Sequence, residues 1–459
     1  MDTDRRRLLA LTATAAAGAA GVTATQTASA APAASPISAL GVDAAQFGLR
    51  PGANEDQTRA LQRAIDETAR TRSPLAIAPG VYRIGGVKLP AGAQLIGVRG
   101  ATRFILADAR PLILAERADH IGLSGLVLDG GKVPLPERTG LVQLENCQHV
   151  KIAGCEIIGA GRNGIMCIAV DGEITDTRLA DISEAAIHSL DARGLIIARN
   201  TVFNAGNNGI QVWRSAAGDD GTMVTDNRIE AIDNRAGGSG QYGNAINVFR
   251  ANNVIVRGNR IKDCAYTAVR GNAASNIQIE GNSIVGVRET ALYAEFGFEG
   301  AVIANNTVDG AAIGVSVTNF NEGGRLAVVQ GNLIRNLLPK LPAGNDPGEV
   351  GGIGISVEAD TAVTGNVVEG APAVGIMLGF GQYLRDVAVT GNIVRKADVG
   401  IAVSVAPGAG SALIASNVIA DVLRGAVVGT DRRKIVTGDL IKGGAERYAH
   451  LSISGNRVR

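Results

Sequence analysis

The stretch from Val254 to Gly297 reads VIVRGNRIKDCAYTAVRGNAASN and then IQIEGNSIVGVRETALYAEFG. Laid one over the other, the two halves put Val256 on Ile279, Asn259 on Asn282, Ile261 on Ile284 and Val269 on Leu292. Apolar residues recur at the same places in both, so this is an internal repeat and the fold follows from it. Within each half, apolar and polar residues alternate over short runs broken by Gly and Asn. That is the pattern of strands and turns rather than of an amphipathic helix.

The phrase apolar-x-apolar-x-x-Asn-x-apolar recurs along most of the chain. It places Asn200, Asn227, Asn259, Asn282, Asn306, Asn332, Asn366, Asn392, Asn417 and Asn456 in one column, with Cys155 and Thr177 at that place in two earlier units. The period, roughly 22 to 26 residues where nothing is inserted, is too short for a propeller blade and lacks the Leu pattern of a leucine-rich repeat. The expectation is an all-β fold, a single-stranded right-handed parallel β-helix (solenoid) whose coils stack about 4.8 Å apart. Asn is expected to serve the turns, because it tolerates the left-handed region, and to bond through its amide to the Asn of the next coil. The 61 glycines meet the demand for turns, and 3% aromatic residues suits a narrow core of Val, Ile and Ala.

A chain of 459 residues, 46% hydrophobic and 19% charged, can bury a long core, and a solenoid escapes the usual size limit on one domain. The net charge of +1 gives no reason to expect nucleic acid or a membrane surface as partner. No apolar run of spanning length follows the N-terminus. Cys147, Cys155, Cys167 and Cys264 lack metal-ligand spacing and read as small core fillers, although export would permit a disulfide between two of them.

Taken in order, residues 1–30 read as a twin-arginine export signal: Asp4-Arg5-Arg6-Arg7-Leu8-Leu9, a weakly apolar Ala/Thr-rich run, then Ala28-Ser29-Ala30 as a small-x-small cleavage site. The expected location is the periplasm or the medium. Residues 31–38 read as a flexible leader. Residues 39–80 form a cap, in which Asn54 and Gln57 resemble a capping box and Leu61, Ala64, Ile65 and Ala69 give one apolar face to a helix ending near Arg72. Residues 81–459 form the solenoid. Ile232 to Gly243, Leu337 to Val350 and Asp431 to Ala449 are insertions, the third of which is expected to fold over the last coil, unless a partner or a second copy covers it.

Phe47-Gly48, Asp56-Gln57-Thr58, Ala60-Leu61-Gln62, Ala64-Ile65-Asp66, Pro79-Gly80-Val81-Tyr82, Leu89-Pro90 and Gly100-Ala101-Thr102 resemble the N-terminal segment of the pectin-lyase-like superfamily. That group includes polygalacturonases, pectate and alginate lyases, mannuronan epimerases and phage tailspikes. With the export signal and the Asn repeats, nearly the whole mature chain resembles bacterial twin-arginine-exported repeat proteins. The resemblance implies a fold but no particular chemistry. The Gly-His-Gly and clustered aspartates of polygalacturonases are missing, as is the Asp-Pro-His of mannuronan epimerases, and Arg260-Ile261-Lys262 is only the repeat phrase with charged outward residues.

Aligning the second strand of each coil on its Gly/Ala-aliphatic start gives an outward column His188, Gln211, Asn247, Arg270, Tyr293, Ser316, Ser356, Met377, Ala402. Two residues on, the parallel column reads Leu190, Trp213, Phe249, Asn272, Glu295, Thr318, Glu358, Gly379, Ser404. Polar, cationic and aromatic groups gather in the middle coils. A solvated outer face must be polar anyway, but the one tryptophan beside two arginines favours a surface that binds an extended acidic polysaccharide. Gln211, Trp213, Arg214, Asn247, Phe249, Arg250, Asn272 and Glu358 would bind it, with Trp213 and Phe249 stacking on rings and Arg214, Arg250 and Arg270 meeting carboxylates.

If the protein is an enzyme, lyase or C5-epimerase chemistry fits better than hydrolysis, with Tyr293, Arg270 and Glu295 at the centre. Arg270 and Tyr293 lie one coil apart, whereas His188 is four coils, roughly 19 Å, from Tyr293. Glu295 and Glu358, two coils apart at about 9.6 Å, stand at the outer edge of the inverting range of about 6.5–9.5 Å. No cofactor is implied, beyond calcium on Asp219, Asp220 and Asp233 as a weak signal. The rival expectation is a non-catalytic envelope scaffold or adhesin whose insertions contact a protein.

Overall fold

The computed structural model describes residues 39–238, 240–343 and 350–459. The expected export signal and leader lie outside them. The chain winds into a right-handed parallel β-solenoid of three strand columns. The first sheet runs through 16 strands, from Val42–Asp43 to Leu451–Ser454. Its first pair, Val42–Asp43 on Leu75–Ala76, forms ahead of Val81. The second column begins at Gly80–Ile84 and the third at Val87–Lys88. They stay separate until Val367–Leu378, Ile393–Ser404 and Val418–Asp431, where single long strands pass through both with a register shift at the bend.

Three aliphatic ladders fill the interior. In the first sheet Ile174, Ile197, Val224, Val256, Ile279, Ile303, Val329, Val363, Val389 and Ile414 stack in register and are fully buried. The β-branched side chains suit a pleated, close-packed column, and each contributes about 1.5–3 kcal/mol by burial. Where Gly stands at the start of a third-column strand, it has a packing cause. A Cβ at Gly375 would sit 2.2 Å from Val394 Cγ1 and 2.6 Å from Gly400 O.

The Asn column is a buried hydrogen-bonded spine. The backbone N–H and the Nδ2 of Asn259 both donate to Asn282 Oδ1, at 2.9 and 3.0 Å, and Asn259 Nδ2 also donates to Val224 O at 2.9 Å. The same arrangement holds between Asn282 and Asn306 and onward to Asn456. The expectation about the turn itself is corrected here. The left-handed residue is the one before the Asn, as at Asp226 (φ 57), Gly258 (φ 67) and Gly281 (φ 63), and the spine asparagines have no positive φ. The Asn is selected for its two-sided amide: that of Asn259 accepts the Asn227 N–H and donates to Val224 O, both of the preceding coil, and its remaining proton links to the Asn282 oxygen of the next.

The helix Thr58–Arg70 buries Leu61, Ala64, Ile65 and Ala69 against the first coils. Its start differs from the expected capping box. Asp56, not Asn54, accepts the Thr58 N–H, at 2.8 Å, while Gln57 turns inward to bond Arg50 N and O at 2.7 and 3.0 Å. At the other end the third insertion divides in two. Lys434–Asp439 pairs antiparallel with Val418–Asp431, and Leu440 plugs the main core beside Ile441, Ala445 and Tyr448. All four cysteines are buried and unpaired, so no disulfide joins any two. No helix among the described residues is long and apolar enough to cross a membrane.

Candidate functional site

The outward columns read from the sequence lie in register on the third sheet: His188, Gln211, Asn247, Arg270, Tyr293, Ser316, Ser356, Met377 and Ala402 pair in that order. Beside them run Leu190, Trp213, Phe249, Asn272 and Glu295. The middle coils, however, are not open to a ligand. Gly240 O accepts from Arg270 Nη1 at 2.7 Å, and Gln241 O from Asn208 Nδ2 at 3.2 Å and Asn247 Nδ2 at 3.4 Å. The first insertion thus roofs this face, leaving Gln211 3%, Asn247 4%, Arg270 9% and Glu295 2% exposed. The Tyr266 hydroxyl lies 3.1 Å from Gly238 O and 2.8 Å from Ala343 O, tying the first insertion to the second.

The proposed charge roles of Arg270 and Glu295 are corrected by the same geometry. Arg270 grips Glu295 with two bonds, 2.6 and 3.0 Å, and Asn272 Nδ2 adds a third to Glu295 at 2.8 Å. Glu289 lies 3.7 Å from Arg270 and accepts the Thr267 hydroxyl at 2.6 Å. Burial works against the Arg270 charge, but Glu295 and then Glu289 hold its pKa above the usual value. Arg270 and Glu295 therefore neutralise each other and leave nothing over for a substrate carboxylate or a hydrolytic pair with Glu358. Tyr293 lies with the Arg270 guanidinium 5.2 Å from its ring centre. Burial and the Glu295 charge push its hydroxyl well up, so at neutral pH it donates protons or hydrogen bonds and does not abstract them.

Trp213 stands in an aromatic ladder, 5.1 Å from His188 and 5.8 Å from Phe249, and donates Nε1–H to Asn247 at 3.1 Å. Burial lowers the His188 pKa to about 4. Arg214 bonds Ala192 O at 3.3 Å and lies 4.0 Å from Asp220. Arg250 bonds Ser215 O at 3.3 Å with its charge 4.7 Å from the Phe249 ring centre. Asp219 accepts from Asn253 at 2.7 Å and Asp233 from Arg235 at 3.2 Å, while Asp220 is buried. Among the described residues no group of three or more His, Cys, Asp or Glu could hold a metal ion.

The open part of the third sheet lies further on. A cleft of about 590 Å³ has Tyr293, Ser316, Ser356, Met377 and Ala402 as its floor. Pro339, Leu341 and Val350 of the second insertion wall one side, and Arg432, Arg433 and Ile435 of the third wall another. Glu358 accepts the Phe320 N–H at 2.7 Å within it, and burial raises its pKa against the pull of that bond and a second from Asn319. Phe380 lies with Arg433 5.6 Å from its ring centre. Arg424 is paired with Asp398, but Arg432 and Arg433 have no ion-pair partner among the described residues. A larger hollow, about 1,170 Å³, lies on the first sheet, but Asp360 bonds both of its arginines, Arg325 and Arg385, each at 2.8 Å.

Of the expected ligand-facing residues, Tyr293 and Glu358 line the cleft; Gln211, Trp213, Arg214, Asn247, Phe249, Arg250, Arg270, Asn272 and Glu295 do not. Sequence reasoning missed Tyr266, Phe380, Arg432 and Arg433. The adjacent arginines in an insertion were the one signal available for the last two.

The sequence profile of the family described as "Right handed beta helix region" matches residues 137–229 and 215–394, more than half of the chain. No curated protein matches the chain. Among solved structures it is similar to the A-module of the Azotobacter vinelandii mannuronan C-5 epimerase AlgE6, at TM-score 0.51 and 15% identity over 91% of this chain and 99% of that one. It is likewise similar to the N-terminal fragment of bacteriophage Phi29 gene product 12, at TM-score 0.51 and 15% identity over 91% and 72%. At such identity the likeness is one of fold.

Proposed function

The chain belongs to the right-handed β-helix family, and from that premise we propose that it is an exported protein that binds an acidic polysaccharide in the cleft of its third sheet. The carrying observation is where the insertions land. Described residues of all three, though they leave coils far apart in the sequence, lie over this one sheet, and residues of the last two line the cleft. Serine and threonine hydroxyls on its floor, Tyr293 and Phe380 at its sides and two uncompensated arginines at its rim are the groups that recognise sugar hydroxyls, ring faces and uronate carboxylates. The Arg5-Arg6 signal supports export. The proposed binding site therefore lies to one side of the middle coils where Trp213 and Arg270 stand.

Lyase or epimerase turnover would fall to Tyr293 as proton donor and Glu358 as the carboxyl that exchanges a proton, since Arg270 is committed to Glu295. Retarded migration in uronate-containing affinity gels tests binding, and new absorbance from an unsaturated product tests elimination. Replacing Arg432 and Arg433 by Ser should weaken uronate binding at least tenfold with little change in melting temperature. Unretarded migration on every uronate tried would refute the reading, and would leave the scaffold or adhesin alternative, in which deleting residues 232–243 abolishes partner binding.

A further inference from the structure

The outer surface of the first sheet departs from the rule that a solvated face is polar. Two columns of side chains point outward from it. In six successive coils the first column reads Ile196, Met223, Ile255, Gln278, Val302 and Val328, and the second Ala198, Thr225, Arg257, Glu280, Ala304 and Gln330, all in register. Ile196 and Met223 are each 40% exposed and Val328 37%. The second sheet of the same solenoid presents an ordinary charged face, where Lys262 pairs with Glu230 and Arg335 with Asp309. A continuous exposed apolar row marks a surface that another molecule covers.

Two features of the row bear on what that molecule is. It holds one cation and one anion, Arg257 and Glu280, which are register partners in adjacent coils, yet neither takes part in an ion pair among the described residues. Bulk divides about the same point. Ile196, Met223 and Ile255 stand on its N-terminal side, whereas Gln278, Val302 and Val328 on its C-terminal side line the hollow of about 1,170 Å³, which continues over Ala362 and Ala388. A face whose opposite charges, and whose large side chains and hollow, fall on either side of one line is complementary to itself.

We propose that a second copy of the chain docks on this face, antiparallel, about a two-fold axis that runs along the strands between the coils of Arg257 and Glu280. Such an axis lays each outward column over its own counterpart in the second copy. Arg257 of each copy then meets Glu280 of the other, Ile255 lies over Gln278, Met223 over Val302 and Ile196 over Val328. One and two coils further out, Glu173 and Lys151 fall over Ala362 and Ala388. The ten coils so engaged measure about 48 Å by about 13 Å, taking four residues of strand as the width, or roughly 600 Å² on each copy. The total of about 1,200 Å² is at the lower bound for a specific, stable interface. This face belongs to a different sheet from the cleft, so the proposal stands apart from what the cleft binds.

Sedimentation equilibrium of the full chain tests it. Expected is twice the chain mass, reduced to a single chain by Arg257→Glu or by Glu280→Arg. Each reversal sets two like-charged pairs across the axis and should weaken association by about two orders of magnitude. Mixing the two variants should restore a dimer with one copy of each, because every pair across the axis is then opposite in sign; that rescue also shows that both variants fold. Met223→Ser, which changes no charge, should weaken association about tenfold by removing the contact over Val302. A wild-type chain that stays monomeric at concentrations well above micromolar would overturn the proposal. So would a dimer indifferent to these substitutions, or two monomeric variants that do not pair when mixed.

Discussion

Truncating one amide in the middle of the Asn spine should cost far more than its size implies. Asn282 is 1% exposed and makes four side-chain bonds: it accepts from Asn259 N (2.9 Å) and Nδ2 (3.0 Å), and donates to Val256 O (3.1 Å) and Asn306 Oδ1 (3.0 Å). In Asn282→Ala the Asn306 oxygen still receives the Asn282 backbone N–H, but two donors on Asn259 lose their acceptor in a dry interior. At roughly 1–3 kcal/mol per stranded buried group, the loss is about 4 kcal/mol. Asn456→Ala strands the equivalent donors of Asn417 where the side chain is partly exposed and water can replace it, so about 1 kcal/mol is expected there. Asn282→Gly should do no better than Ala, because the left-handed turn belongs to Gly281. Urea unfolding followed by far-UV circular dichroism gives the comparison, with hydrogen exchange at the Asn259 amide as a local readout should the solenoid unfold in stages. Equal costs for Asn282→Ala and Asn456→Ala, or an Asn282→Gly that matches wild type, would show that the column serves the turn and not the bonds.

Two further outcomes follow from buried ionisable groups. His188 has a folded pKa lowered by burial to about 4 from 6.5, so its stabilising neutral form is fully retained above the unfolded value. Stability should fall as pH drops from about 6.5 toward 4, by up to about 3 kcal/mol at 1.36 kcal/mol per pKa unit. His188→Gln should flatten that slope, and Trp213 emission, 5.1 Å away, should report the titration; an unchanged slope refutes it. Arg270→Ala leaves Glu295 charged and buried and should cost about 3–5 kcal/mol, with Arg270→Lys a poor rescue because a single ammonium cannot replace the two-pronged grip. A loss of that size should lower the melting temperature by several degrees, so a thermal melt within about 2 °C of wild type would show that the pair is dispensable.

The repeat made the solenoid legible to the residue: once Asn259 was set on Asn282, the pairing of Arg270 with Tyr293 and of Phe249 with Asn272 followed, and the strands obey it. Periodicity carries that information because stacked coils need the same side-chain shape at the same place. The insertions have no period, so nothing in Ile232 to Gly243 announced that it would lie back over Gln211 and Asn247 and close the surface expected to bind. The thinning of polar residues toward Ala402 was visible, but not its cause, which is that Ile435 returns to cover an apolar patch. Asn54 and Asp56 were equally good helix starters by type, and the backbone path decided for Asp56.

The spine has a direction as well as a strength. Each amide from Asn200 to Asn417 hands one proton to the Asn oxygen of the following coil, gives the other to a carbonyl of the preceding coil and shows its oxygen to that preceding coil, so the Asn-to-Asn links all point one way along the axis. The solenoid is in that sense a polar rod. Its coils are not interchangeable electrostatically even where their sequences nearly repeat, and a charge set near the axis feels which end it is closer to.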